Sequence, residues 1–78
     1  MKVTRYFEAT RTRSDRVIIR DEWIKRAIHE PIRESFQNDQ RIRRWVQVSE
    51  MEGRYLRVVL LEDGETVHNA FFDRRFEP

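Results

Sequence analysis

The chain has 78 residues, of which 38% are hydrophobic and 38% are charged, with a formal net charge of +2; this length supports one small domain, residues 1–78, with a thin core. It contains no cysteine, which excludes disulfides and thiolate metal sites. No apolar run approaches the roughly 20 residues of a membrane helix, and Met1–Thr10 lacks the apolar stretch of a signal peptide, so we expect a cytoplasmic protein with no membrane partner.

Arginine dominates the cationic residues. Fourteen of the 16 Lys/Arg residues are arginine, and residues 1–44 carry twelve Lys/Arg against seven Asp/Glu, whereas residues 45–78 carry four against seven. Because a guanidinium group donates hydrogen bonds in a fork that fits carboxylates and phosphates, this composition indicates an anionic partner, either RNA or an acidic protein. The alternative is that most of these charges form a solvated surface.

The first 20 residues contain three short segments with different patterns of apolar and polar residues. Lys2–Phe7 alternates between apolar and polar side chains, which predicts a short edge strand. Glu8–Arg16 is polar and is typical of either a short helix or a basic loop. Val17–Ile19 is an apolar segment that we expect to pack against the core.

A helix is predicted over Glu22–Glu30. Asp21 precedes it and suits an N-cap, because its carboxylate can accept hydrogen bonds from the free amides of the first turn. Pro31 ends the helix by disfavouring helical geometry at Glu30. The apolar stripe of this helix consists of Ile24, Ala27 and Ile28, flanked by Trp23.

After Pro31 the apolar residues recur with a period of two, which predicts strands. Turn-forming residues lie at Asn38–Gln40 and at Asp63-Gly64, and the second pair is a strong hairpin signal. The predicted strands are Ile32–Phe36, Ile42–Val48, Arg54–Leu61 and Thr66–Phe72, followed by a charged tail at Asp73–Pro78. The predicted fold class is therefore α+β, with one or two N-terminal helices packed on a three- to four-stranded antiparallel β-meander.

The turns predict which residues pair across the sheet. We expect a two-residue turn at Asp63-Gly64 and a three-residue loop, Met51–Gly53, with Gly53 in the left-handed conformation. The predicted pairs include Leu60 with Val67, Val59 with His68, Val58 with Asn69, Val48 with Leu56 and Trp45 with Val59.

Cross-strand partners share a face of the sheet, so these pairs sort the side chains into two sets. The helix face, which is aliphatic and should receive the helix, contains Val46, Val48, Leu56, Val58, Leu60, Val67 and Phe71, with Arg44 and Asn69 as its polar exceptions. The second face contains Arg43, Trp45, Gln47, Tyr55, Arg57, Val59, His68, Ala70 and Phe72. A one-residue error in either connection would exchange the faces of one strand relative to the others.

The second face combines aromatic rings, guanidinium groups and an imidazole. Rings that stack bases, with arginines that hold the backbone, bind single-stranded nucleic acid, and RNA cleavage further needs a base, an acid and a cation at the phosphate. The ligand-binding candidates are Trp45, Tyr55 and Gln47, and the catalytic candidates are His68 as base or acid with Arg43 and Arg57 at the phosphate. The alternatives are that these side chains only pack on one another or form a dimer or partner surface.

The remaining titratable residues form no recognisable site. His29 and His68 do not lie at a metal-ligand spacing with the acidic residues. The carboxylates of Glu30, Glu34 and Glu62 are not spaced as a pair for acid–base work. We therefore expect no metal and no cofactor, and any catalysis would be metal-independent.

Residues 30–45, EPIRESFQNDQRIRRW, and residues 55–76, YLRVVLLEDGETVHNAFFDRRF, resemble a family of small bacterial proteins of unknown function. In the order of its elements the chain also resembles the BrnT and RelE/ParE toxin-like group. The resemblance implies a ribonuclease toxin, which cuts messenger RNA with residues of the sheet and is neutralised by an acidic antitoxin-like protein. The basic set near the C-terminus of many such toxins is represented here only by Arg74 and Arg75, and no catalytic motif transfers position by position.

Two hypotheses of different classes therefore remain. The first is a toxin-like RNA-binding or RNA-cleaving domain, which would be a metal-independent endoribonuclease if it cleaves. The second is a non-catalytic protein-interaction module, whose second face binds an acidic protein or another copy of the chain to form a homodimer.

Overall fold

The computed structural model describes all 78 residues and contains two helices followed by four strands. The elements are α1 (Arg5–Thr10), α2 (Asp21–His29), β1 (Arg33–Phe36), β2 (Ile42–Val48), β3 (Arg54–Leu60) and β4 (Val67–Phe72). The strands pair antiparallel in the order β1-β2-β3-β4. The predicted α+β fold class is confirmed. No helix has the length and apolar character needed to cross a membrane.

The N-terminal segment differs from its prediction. Lys2–Phe7 was expected to be a strand, and this is wrong, because only Val3 pairs with the sheet, in a single parallel bridge to Val67. Thr4 is extended, and its hydroxyl oxygen accepts a hydrogen bond from the amide of Phe7. This N-cap satisfies a free amide of the first turn, so the chain enters α1 instead of continuing along the edge of β4.

Helix α2 lies where the sequence predicts it. Its bounds differ at the start, because Asp21 is the first helical residue and Arg20 is the N-cap, without a capping side chain. The Asp21 carboxylate instead accepts a hydrogen bond from Arg11. Glu30 leaves helical geometry directly before Pro31, as expected for the residue that precedes a proline. The buried residues of α2 are Trp23, Ile24 and Ala27.

The β2–β3 connection is longer than predicted. Ser49–Met51 forms a 3-10 turn, and both Glu52 and Gly53 adopt positive φ angles, of 59° and 75°. The left-handed Gly53 is confirmed, but the loop has five residues, so that Trp45 pairs with Arg57 and not with Val59. Because the error is two residues, an even number, every side chain of β3 keeps its predicted face.

The β3–β4 pairing contains a bulge that the sequence analysis missed. The hairpin pairs Leu60 with Val67 as predicted, but Val59 pairs with Asn69 and leaves His68 without a partner. One extra residue in a strand exchanges the faces of all residues beyond it. The predicted faces are therefore wrong for four residues: Ala70 and Phe72 lie on the helix face, and Asn69 and Phe71 lie on the second face.

The core lies between the helices and the helix face of the sheet. Its thirteen buried residues include Phe7, Ile19, Trp23, Leu56 and Val58. Ile19 is thus packed as predicted, whereas its neighbours Val17 and Ile18 are exposed. This arrangement leaves the second face without a covering helix.

Arg44 is the predicted polar exception on the helix face. Its guanidinium donates to the backbone carbonyl of Ile28 at 2.8 Å and to the carboxylate of Glu34 at 2.6 Å. These two contacts tie the C-terminal end of α2 to β1.

Candidate nucleic-acid interface

The second face divides into two regions. The first, the aromatic cluster, consists of Trp45, Tyr55 and Phe76. The second, the basic recess, is a depression of about 440 Å³ lined by Tyr6, Gln37, Arg41, Arg57, Val59, His68, Asn69 and Phe71. Arg57 belongs to the recess and also lies over the Trp45 ring, with its guanidinium carbon 5.7 Å from the ring centroid. The two regions are therefore continuous.

The rings of Trp45 and Tyr55 are covered by the last six residues, Asp73–Pro78, which we call the C-terminal strap. The ring of Phe76 stacks on Trp45 with centroids 4.8 Å apart and planes 19° from parallel, and it meets Tyr55 at 5.1 Å and 57°. Trp45 is only 6% exposed as a result. In this conformation, therefore, the strap occupies the surface on which Trp45 and Tyr55 were predicted to stack bases.

Asp73 anchors the C-terminal strap to the sheet. Its amide donates to the carbonyl of Tyr55 at 2.8 Å. Its carboxylate accepts a hydrogen bond from the indole of Trp45 at 3.0 Å and lies 3.6 Å from the guanidinium of Arg57. Burial acts to raise the pKa of this carboxyl, but the hydrogen bonds from Trp45 and the Arg75 amide, with the Arg57 charge, outweigh it and lower the pKa. Asp73 is therefore held as a carboxylate.

Each of the predicted phosphate-binding arginines has a buried Nε without a hydrogen-bond partner. Arg57 also lies 5.2 Å from the centroid of Phe71, and its Nε is buried without a hydrogen-bond partner. The Nε of Arg43 is buried and unpartnered too. Arg43 pairs with Val59 across the ladder but does not line the basic recess. The structure thus brings Arg57 to His68 and places Arg43 on the neighbouring surface.

Gln47 lies away from the basic recess. Its side-chain amide donates to the carbonyl of Gly53 at 3.1 Å. This contact supports the left-handed turn between β2 and β3, since a Cβ added at Gly53 would lie 3.1 Å from the same amide nitrogen. Gln47 therefore has a structural partner, and the structure does not bring it to His68.

The bulge turns His68 towards the basic recess. Its Nδ1 lies 3.1 Å from the Thr4 hydroxyl, and its ring stacks on Tyr6 with centroids 4.9 Å apart. Burial lowers the pKa of the imidazole, the charge of Arg41 lowers it further, and Asp39 opposes the shift. The side chain is therefore neutral at neutral pH and can accept a proton.

Several residues of the basic recess were missed by sequence reasoning. Tyr6 was missed because the predicted strand Lys2–Phe7 includes it, and Phe71 because the bulge exchanges its face. Arg16 does not line the recess, but it donates at 2.6 Å to the side chain of Asn69, which does. The only signal for Arg41 was its position directly before β2.

No group of three or more His, Cys, Asp or Glu side chains is arranged to hold a metal ion. Comparisons of the chain with protein-family models, with curated proteins and with solved structures found no match. The resemblance to small bacterial proteins and to the toxin-like group therefore stays a prediction.

Proposed function

We propose that this protein binds single-stranded RNA at the basic recess. The observation that carries the proposal is the presence of Arg41, Arg57 and His68 around one depression that also has aromatic walls. Arginines that hold phosphates next to rings that stack bases are the combination that proteins use for single-stranded nucleic acid.

Arg57 is the residue best placed to hold a phosphate. Its charge is balanced within the protein only by Asp73, at 3.6 Å, and the residue lines the recess. A guanidinium gains charge-assisted hydrogen bonds when an anion reaches its terminal nitrogens, and these are stronger than hydrogen bonds between neutral groups. A phosphate beside Arg57 would also be within the field of Arg41.

An acidic protein would supply the same charges as RNA. RNA is favoured because the rings of Tyr6 and Phe71 border the arginines. A nucleotide uses both kinds of side chain at once, since its base stacks on a ring and its phosphate contacts a guanidinium. An acidic peptide would use only the charges. The binding experiment therefore compares the affinity of the protein for RNA with its affinity for an acidic peptide.

Cleavage of the bound RNA is a second activity that His68 favours. A neutral imidazole can remove the proton of a 2′-hydroxyl, whose oxygen then bonds to the phosphorus as the bond to the 5′-oxygen breaks; a guanidinium can stabilise the added charge on the phosphate, and the leaving 5′-oxygen takes a proton from water. Within the protein only Nδ1 of His68 has a partner, the Thr4 hydroxyl. His68→Ala should abolish cleavage and retain most of the binding, and uncut RNA after long incubation with the intact protein would rule the activity out.

Binding is tested by fluorescence anisotropy with labelled single-stranded RNA of mixed sequence. The dissociation constant should rise steeply with salt, because phosphate contacts release counterions. Arg57→Ala should weaken binding at least tenfold with an unchanged fold by circular dichroism. The matched control is Arg13→Ala, since Arg13 is exposed and lies outside the recess. If no RNA binds at low salt, or only an acidic peptide binds, the proposal is wrong.

A homodimer is the second candidate, because strand β1 has a free edge. It is an outer strand of the sheet, and two large apolar side chains, Phe36 within it and Ile32 directly before it, are 66% and 52% exposed. Free edges pair readily with other strands. Light scattering over a range of concentrations should show a dimer that Phe36→Lys disrupts, whereas a monomer at every concentration would reject this candidate.

A further inference from the structure

The C-terminal strap presents a ring and a carboxylate to the second face. Phe76 lies flat on Trp45, and Asp73 contacts both Arg57 and the Trp45 indole nitrogen. A nucleotide bound at this place would also present a ring, its base, and an anion, its phosphate. The strap thus occupies Trp45 and Arg57, which would otherwise be free to bind a nucleic-acid ligand.

We propose that the C-terminal strap is an internal competitor, which fills a base-stacking site on Trp45 and must leave before single-stranded RNA can use that site. This inference rests on the proposed RNA-binding function and extends it from the basic recess to the aromatic cluster. Arg57 connects the two, because it lines the recess and also lies over the Trp45 ring. A strand of RNA would run from the recess across Arg57 onto Trp45.

The attachments of the C-terminal strap are suited to release. Asp73 continues the β3–β4 ladder by one hydrogen bond, to Tyr55, but no backbone hydrogen bond joins residues 74–78 to the rest of the protein. Beyond Asp73 the contacts are the ring of Phe76 and one side chain, Arg33. Arg33 donates to the Glu77 carbonyl at 3.1 Å and lies 5.2 Å from the Phe76 centroid. The segment after Asp73 can therefore detach without breaking the sheet.

Opening the site exposes a ring that the sheet already holds in place. Trp45 belongs to β2 and pairs with Arg33 on one side and Arg57 on the other. The ladder places the ring on the second face, and Asp73, whose amide remains bonded to Tyr55, accepts a hydrogen bond from the indole without any contribution from residues 74–78. A base that replaced Phe76 would stack on a preorganised surface, which lowers the entropic cost of binding.

The test compares RNA binding by the intact protein and by Phe76→Ala, measured by fluorescence anisotropy at low salt. Removal of the ring should tighten binding about three- to tenfold, which is the gain expected if only a third to a tenth of the molecules are open before the change. The matched control is Ile18→Ala, which removes an exposed apolar side chain that belongs to neither the basic recess nor the aromatic cluster and should leave affinity within about twofold.

A second variant covers the case in which Phe76→Ala does not fold. Asp73→Asn keeps an acceptor for the Trp45 indole but removes the charge that neutralises Arg57, so it should also tighten binding. If the intact protein binds RNA and neither folded variant binds more tightly, the strap is a fixed part of the fold and the inference is wrong, while the RNA-binding proposal stands. If neither the intact protein nor a folded variant binds RNA, both are overturned.

Discussion

The indole of Trp45 stacks on the phenyl ring of Phe76, so a residue near the end of the chain covers the centre of the second face. This contact is accompanied by the hydrogen bond from Trp45 to Asp73. An exposed sheet face that carries aromatic side chains is usually covered or used in binding. Here half of it is covered by the chain itself, and the other half, the basic recess, is open.

Truncation of Leu56 tests the position of the hydrophobic core. It is fully buried on the helix face, and truncation there removes apolar contacts and leaves a cavity. Leu56→Ala should lower the free energy of unfolding by about 2–5 kcal/mol, measured by urea denaturation. Ile32→Ala, at a half-exposed position, should change it by less than about 1 kcal/mol. Equal losses in the two variants would contradict the core described here.

Arg44 should contribute to stability although it is charged. Arg44→Met removes the hydrogen bonds to the Ile28 carbonyl and to Glu34. Because Arg44 and Glu34 are both partly solvated, the expected loss is about 1–2 kcal/mol in urea denaturation. Arg74→Met, at an exposed arginine that forms no ion pair, should be nearly neutral. A neutral Arg44→Met would show that these bonds do not hold α2 to β1.

Protonation of His68 should destabilise the protein. Burial holds its pKa below the usual value of 6.5, so the unfolded chain takes up the proton first as the pH falls. The free energy of unfolding should therefore be retained above about pH 6.5 and decrease below it. His68→Gln should lack this decrease in urea titrations between pH 5 and 8. The control is His29→Gln, since His29 is exposed on α2, and it should behave as the unmodified chain does.

Asp63 should titrate below the usual pKa of an aspartate, 3.8. It accepts hydrogen bonds from the Thr66 hydroxyl at 2.6 Å and from the amides of Thr66 and Glu65 at 2.9 Å, and these bonds lower its pKa from 3.8 to about 2. Its contribution to stability is thus complete above pH 3.8 and is lost as the pH falls towards 2.

The measurement for Asp63 is a carboxyl titration by NMR. Thr66→Val removes the hydroxyl, which is the largest cause of the shift, and should raise the pKa. Thr12→Val, at an exposed threonine near the end of α1, should leave it unchanged. An unchanged pKa in Thr66→Val would mean that the backbone amides alone hold the carboxylate.

The elements with strong periodicity could be predicted from the sequence. Strand β2 begins and ends where the alternation does, and α2 ends at His29, two residues before Pro31, because both signals are local in the sequence. The bulge could not be predicted, since neither glycine nor proline marks His68, and its position depends on how β4 meets Val3. The α1 segment was misread because the capping role of Thr4 outweighed a short alternating pattern.

The candidate site was predicted in part for the same reasons. The alternation of apolar and polar residues placed Trp45, Arg43 and Arg57 on the second face. The β2–β3 loop is two residues longer than predicted, and because this is an even number, the three side chains keep that face. The C-terminal strap was not predicted, because Phe76 is the only apolar ring in a charged tail. Contacts between distant segments of this kind have no periodic signature in the sequence.

His68, the unpaired residue of β4, is not needed for the pairing of β4 with β3. Val67 and Asn69 pair with Leu60 and Val59, which are neighbours in β3, so a chain lacking residue 68 would form an uninterrupted ladder with every other side chain on its present side. The imidazole can therefore change or disappear without cost to the core packing. That position is open for the protein to acquire, alter or discard chemistry independently of its architecture.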